Sequence, residues 1–233
     1  MPSRYVDIAA ADGGRFKAYL TQPPGHQAPG IVLIQEIFGI NPVMREVAER
    51  LAAAGFMVAC PDLFWRQQPG VEITDRSDAE WQVAFALFKG FDLDKGVEDL
   101  KSTAGFLRAQ PDGTGKVGCI GFCLGGRLAY LMAARSDVDC AVGYYGVGIE
   151  QALDEAKSIG HPLMLHVATK DRFVPAKAQA EIAAALGQHP KITIHAYPGQ
   201  DHAFARIGGE HYDARAAQLA DGRTLDFLTR NLA

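Results

Sequence analysis

Lys116-Val117-Gly118-Cys119-Ile120-Gly121-Phe122-Cys123-Leu124-Gly125-Gly126-Arg127-Leu128 is the stretch that decides the fold of this chain. It reads as an apolar strand, Lys116–Phe122, running straight into Gly-x-Cys-x-Gly-Gly and then into a helix, Leu124–Arg135. A turn this sharp holds its apex residue in strained backbone, and side chains two residues away would collide. Gly121 and Gly125 remove those side chains, and Gly126 lets the helix approach the strand. Cys123 occupies the apex, where a serine usually stands. The unpaired N–H groups at a helix N-terminus favour a thiolate there. The Leu124 N–H is placed to form half of an oxyanion hole. A glycine-rich turn could also cradle a phosphate, but no Gly-Lys-Ser/Thr follows.

On either side of this segment, short β-branched runs alternate with helical patterns. The expected strands are Tyr5–Ile8, Arg15–Thr21, Gly30–Gln35, Phe56–Cys60, Lys116–Phe122, Ala141–Tyr145, Pro162–Val167 and Ile192–Tyr197. Asp12-Gly13-Gly14 joins the first two as a hairpin, and the later runs are apolar throughout, as in strands buried on both faces. Helices are expected over Pro42–Ala54, with Asn41 as cap and Pro42 in the first turn, and over Val97–Ala109, Leu124–Arg135, Ala176–Leu186 and Tyr212–Arg230. Segment 63–90 reads as an excursion with one helix. The alternation predicts an α/β domain spanning 1–233, with a mainly parallel sheet, helices on both faces and antiparallel edge strands from the opening hairpin.

In an α/β-hydrolase arrangement the acid and then the base follow the nucleophile, each at the end of a strand. Asp171 lies just past the strand Pro162–Val167, before Val174-Pro175. His202 lies past Ile192–Tyr197, on the loop before the last helix. Either residue alone is unremarkable in a loop, but the ordered set of elbow Cys, strand-end Asp and loop His makes a nucleophile, base and orienting acid. An intact set of three argues against a hydrolase-like protein that merely binds a ligand. His26, His161, His166, His195 and His211 lack this context and read as structural or surface residues, with His211 at the start of a helix.

The 233 residues are 48% hydrophobic and 21% charged, with 23 Lys+Arg against 27 Asp+Glu for a net charge of −4. That is the balance of a soluble globule with no basic patch for nucleic acid. The first residues, MPSRYVDIAAADGG, do not read as a secretory leader and no apolar run reaches membrane length, so the expectation is a cytoplasmic protein with no membrane partner. Cys60, Cys119 and Cys140 show no metal-site spacing and read as buried free thiols.

Gln35-Glu36-Ile37-Phe38-Gly39, Cys60-Pro61-Asp62-Leu63, Gly121-Phe122-Cys123-Leu124-Gly125-Gly126 and Gly143-Tyr144-Tyr145-Gly146, together with Asp171 and His202, closely resemble dienelactone hydrolase over essentially the whole chain. The resemblance implies an α/β-hydrolase fold with an eight-stranded sheet, no cofactor, a monomer, and hydrolysis of dienelactone to maleylacetate in chlorocatechol breakdown. It implies that Glu36 holds the resting thiol and takes its proton when substrate arrives, which limits the exposure of a thiolate to oxidation. It also makes the Ile37 N–H the second oxyanion donor. In the family two arginines clamp the substrate carboxylate. Arg206 matches one, but Trp81 stands in place of the other and Phe85 in place of an assisting tyrosine. Neither can make a charge-assisted bond to a carboxylate, and one lost contact of that kind is worth roughly 1.5–3 kcal/mol. The pocket, with Phe38, Tyr145, Trp81 and Phe204 as further candidates, suits either a dienelactone or a more neutral ester or lactone. A broad carboxylesterase or thioesterase is the alternative activity.

Overall fold

The computed structural model describes residues 3–25 and 27–233; His26 lies outside them. Among the described residues eight strands form a sheet: β1 (Ser3–Ala9), β2 (Arg15–Thr21), β3 (Ala28–Ile34), β4 (Met57–Pro61), β5 (Gly113–Phe122), β6 (Cys140–Tyr144), β7 (Leu163–Ala168) and β8 (Ile192–Tyr197). Their order is β1-β2-β4-β3-β5-β6-β7-β8. β1 and β2 are an antiparallel hairpin and β2 is antiparallel to β4, whereas β3 and β4, β6 and β7, and β7 and β8 pair in parallel. The chain divides into two compact units within β5, after Cys119.

In the first unit the helices begin where side chains take up orphan backbone donors. Asn41 Oδ1 accepts from the Met44 N–H at 3.1 Å, and Pro42 opens α1 (Pro42–Ala53). At the start of α2 (Asp78–Lys89) Ser77 Oγ accepts from the Glu80 N–H at 3.3 Å and donates to Glu80 Oε2 at 2.9 Å. α3 (Leu93–Arg108) starts four residues earlier than its apolar spacing predicts, because Asp92 Oδ1 caps both the Asp94 and Lys95 N–H groups at 3.1 Å. β4 is buried along its whole length and β3 along nearly all of its own, as expected of interior strands.

In the second unit α4 (Leu124–Arg135) packs on β6, and α6 (Ala214–Leu232) packs on β6 and β7. α5 (Ala176–Leu186) packs on a 3₁₀ helix, Ile149–Ser158, that the sequence reading did not anticipate. That segment buries only Ile149, Ala152 and Ala156 and is kinked at Ala152, so it carries no sustained 3.6-residue period. α6 starts at Ala214, capped by Asp213, so His211 lies in the turn before it rather than at a helix start.

His166, expected to be merely structural, is the centre of a buried polar network. Its Nδ1 meets Tyr197 Oη at 2.7 Å and its Nε2 meets Thr224 Oγ1 at 2.9 Å. Thr224 Oγ1 also contacts Tyr144 Oη at 2.7 Å, and Tyr144 donates to Asp221 at 3.0 Å. Burial, reinforced by His195 and Arg223, pushes the His166 pKa well below 6.5. The folded protein therefore holds this ring neutral, while the unfolded chain binds a proton below pH 6.5. The stability it contributes is complete above that pH and is lost as pH falls. Relative to His166→Gln, the wild-type unfolding free energy from urea titrations should fall between about pH 7 and about pH 5, by up to ~1.4 kcal/mol per pH unit from this group. An identical pH slope in the two proteins would remove His166 as a contributor.

Candidate active site

Cys123 sits between β5 and α4 with φ 57° and ψ −115°. A non-glycine residue in this region carries roughly 1–3 kcal/mol of strain, which the surrounding contacts hold in place. The Cys123 N–H donates to the Tyr144 carbonyl at 3.1 Å, and its own carbonyl accepts from the Gly126 N–H at 3.0 Å. A Cβ on Gly121 would fall 1.8 Å from the Gly125 carbonyl oxygen, and one on Gly126 would fall 2.4 Å from the Tyr144 oxygen. Both glycines are therefore steric requirements of the turn. Leu124 is the first helical residue, so its N–H has no acceptor within the helix.

β7 delivers Asp171 and β8 delivers His202, and both side chains are buried. Asp171 Oδ1 accepts from the Phe173 and Val174 N–H groups at 2.8 and 3.1 Å. This local turn fixes the carboxylate and leaves Oδ2 for His202 Nδ1, at 2.8 Å. Nε2, the nitrogen on the other side of the ring, is buried and makes no hydrogen bond of regular geometry, and Cys123 lies near enough to act on the ring. Tyr145 and Phe173 meet the imidazole edge-on, with ring centroids 5.0 and 4.9 Å away. Burial works against a charge on this ring, but Cys123 and Asp171 outweigh it and raise the His202 pKa to about 10. The environment therefore favours an imidazolium, the partner a thiolate needs.

Within residues 120–233 the fold thus gathers Cys123, Leu124, Asp171, His202, Tyr145 and Phe204, the last with its ring 5.7 Å from Tyr145. Arg206 is buried, at 8% exposure, rather than solvated. Within residues 1–119 Glu36, Ile37 and Phe38 follow β3 and are buried. Trp81 stacks on Phe85 at 5.2 Å and meets Phe38 edge-on at 5.1 Å. The Trp81 Nε1–H is already committed to the Asp75 carbonyl at 3.0 Å. Sequence reasoning missed Phe173, whose ring meets the imidazole, and Asp201, whose carboxylate accepts from the Arg172 and His202 N–H groups; both placements depend on two loops lying side by side. Their adjacency to Asp171 and His202 was the one available signal. Among the described residues no group of three His, Cys, Asp or Glu is placed to hold a metal ion, and no helix is long and apolar enough to cross a membrane. Cys60, Cys119 and Cys140 are buried free thiols.

The model of the dienelactone hydrolase family matches residues 16–232. Carboxymethylenebutenolidase 1 of Cupriavidus pinatubonensis is 43% identical over 228 residues, covering 98% of this chain and 97% of its own. Carboxymethylenebutenolidase of Pseudomonas putida is 42% identical, covering 96% and 94%. A solved structure from Klebsiella pneumoniae, 24% identical, covers 99% of this chain and 100% of its own with a TM-score of 0.85, so the α/β fold is shared. Because the family match runs from β2 to the end of α6 and these relatives align along nearly their full lengths, the chain belongs to the dienelactone hydrolase family and is a hydrolase.

Proposed function

We propose that this enzyme opens the ring ester of a dienelactone, or of a related activated lactone or ester, through a thioester on Cys123. The observation that carries the reading is the Asp171–His202 bond of 2.8 Å beside a cysteine on a strained strand–helix elbow. The Cys123 thiolate adds to the lactone carbonyl carbon, and the Leu124 N–H stabilises the resulting oxyanion. Collapse breaks the ring C–O bond and releases an enolate, leaving the acyl group on sulfur; once free, the enolate takes the His202 imidazolium proton. The now neutral His202 takes a proton from water, the hydroxide adds to the thioester, and the thiolate leaves beside the restored imidazolium as the carboxylic acid forms. Glu36 as acceptor of the resting thiol proton and Ile37 N–H as second oxyanion donor follow from the family resemblance of residues 35–39.

A His202 pKa of about 10 bears on the substrate class. So basic an imidazole gives up its proton reluctantly, and a simple alkoxide leaves poorly without one. An enolate or aryloxide needs little protonation. Enol lactones and aryl esters should therefore turn over faster than alkyl esters, and amides should be slower still.

The Trp81–Phe85 stack favours a second reading, a carboxylesterase for neutral substrates, because Trp81 has spent its only donor on Asp75. Comparing kcat/KM for a dienelactone with that for a neutral aryl ester, in the wild type and in Arg206→Met, separates the two. A dienelactone enzyme should prefer the lactone, and Arg206→Met should raise its KM by about 10-fold or more through the lost charge-assisted contact, with little change for the neutral ester. A wild type that prefers the neutral ester, with Arg206→Met affecting neither substrate, would hand the assignment to the carboxylesterase reading.

A further inference from the structure

The ladder between β7 and β8 ends at the pair Ala168 and Tyr197, yet the two chains remain bonded beyond it. The Thr169 N–H donates to the Tyr197 carbonyl at 3.2 Å, the Gly199 N–H to Thr169 Oγ1 at 2.9 Å, and the Lys170 N–H to the Gln200 carbonyl at 2.8 Å. The last link is a side chain. Asp201 Oδ1 accepts from the Arg172 N–H at 3.1 Å and from the His202 N–H at 2.6 Å. One oxygen thus holds the residue that follows Asp171 and His202 itself. Its other oxygen faces His211 Nε2 at 3.7 Å.

We infer that Asp201 is a positioning residue that clasps the Asp171 loop to the His202 loop, so that the imidazole meets its acid already aligned. The inference rests on the proposed roles of His202 and Asp171. Each loop on its own has freedom that the sheet no longer removes. Asp171 is steadied by its own turn through Phe173 and Val174. His202 has no such turn, and Ala203, directly after it, lies at φ 62°. Without the clasp, the last tie between the two loops is the Lys170–Gln200 bond, and beyond it the imidazole is held by one side-chain bond and two edge-on rings. Asp201 touches neither Cys123 nor the imidazole ring through any bond described above, so its effect passes through the backbone.

The test compares Asp201→Ala, Asp201→Asn and Asp201→Glu, assayed on an activated aryl ester beside Cys123→Ala. Asp201→Ala should lower kcat about 30-fold with KM changed by less than about twofold, within the roughly hundredfold that a 1 Å misplacement costs. Asp201→Asn keeps an oxygen where both N–H groups need it and should recover to within about threefold of wild type. Asp201→Glu keeps the charge but moves the oxygens out by one methylene. It should lose about tenfold in kcat, which serves as the readout if the alanine variant does not fold. Wild-type kcat in the alanine or glutamate variant, a change in KM alone, or an asparagine variant as impaired as alanine would overturn the clasp. An active Cys123→Ala would instead overturn the proposed reaction.

Discussion

Cys123→Ala is expected to lower kcat/KM for an activated lactone or ester by at least about 10⁴-fold, with the protein still folded. The magnitude follows from removing a nucleophile whose base and oxyanion donor then have nothing to act on. Folding should survive because the elbow depends on Gly121 and Gly126, whose Cβ atoms would collide with backbone, and not on the sulfur. Cys123→Ser is the more informative companion. Serine keeps the geometry, but its hydroxyl is far less acidic than a thiol, and replacing the sulfur removes the largest cause that raises the His202 pKa and so the thiolate–imidazolium pair, so it should recover only a small part of the activity. Steady-state hydrolysis supplies the rates, and mass spectrometry of quenched wild-type enzyme should find an acyl group on Cys123. Undiminished hydrolysis by Cys123→Ala would sink the mechanism.

Asp171→Asn should cost about 10³–10⁴-fold in kcat with a smaller effect on KM. The amide oxygen can still cap the Phe173 and Val174 N–H groups, so the loop keeps its shape. The position that bonds His202 Nδ1 then becomes an NH₂ group or a neutral oxygen. The charge that helps hold the imidazolium is gone, and the ring can be drawn to the wrong tautomer. Burial, which opposes the charge, then weighs more heavily, so the His202 pKa should fall from about 10. Following the imidazole by NMR across pH checks this directly. The linkage has a definite sign. With a folded pKa raised from 6.5, His202 contributes stability that is full below pH 6.5 and lost as pH rises through about 10. Asp171→Asn should therefore show less alkaline destabilisation than wild type. An unshifted imidazole titration would mean that the carboxylate does not tune this ring.

Much of the geometry of the candidate site was legible in the sequence because its causes are local. The elbow is dictated by sterics over six residues, Gly121 to Gly126, so the spacing alone places the cysteine at an apex. Strand periodicity located all eight strands to within about three residues, and the chain order of Cys123, Asp171 and His202 follows from which strand ends must carry them. Boundaries slipped where a polar side chain overrode periodicity, as when Asp92 started α3 ahead of its apolar stripe or the 3₁₀ helix formed without one.

The sequence by itself determined the alternation of strands and helices, the strained cysteine and the partners it would need, because covalent neighbours impose those constraints. Only the tertiary structure decided what depends on distant segments lying together. It buried Arg206, spent the Trp81 donor on Asp75, set Phe173 and Tyr145 against the imidazole, tied His166 to Tyr197 and Thr224, and put one oxygen of Asp201 between two loops. Hydrogen bonds and ring contacts form over a few ångströms in space whatever the separation along the chain, so a single sequence carries no mark of which pairs will meet.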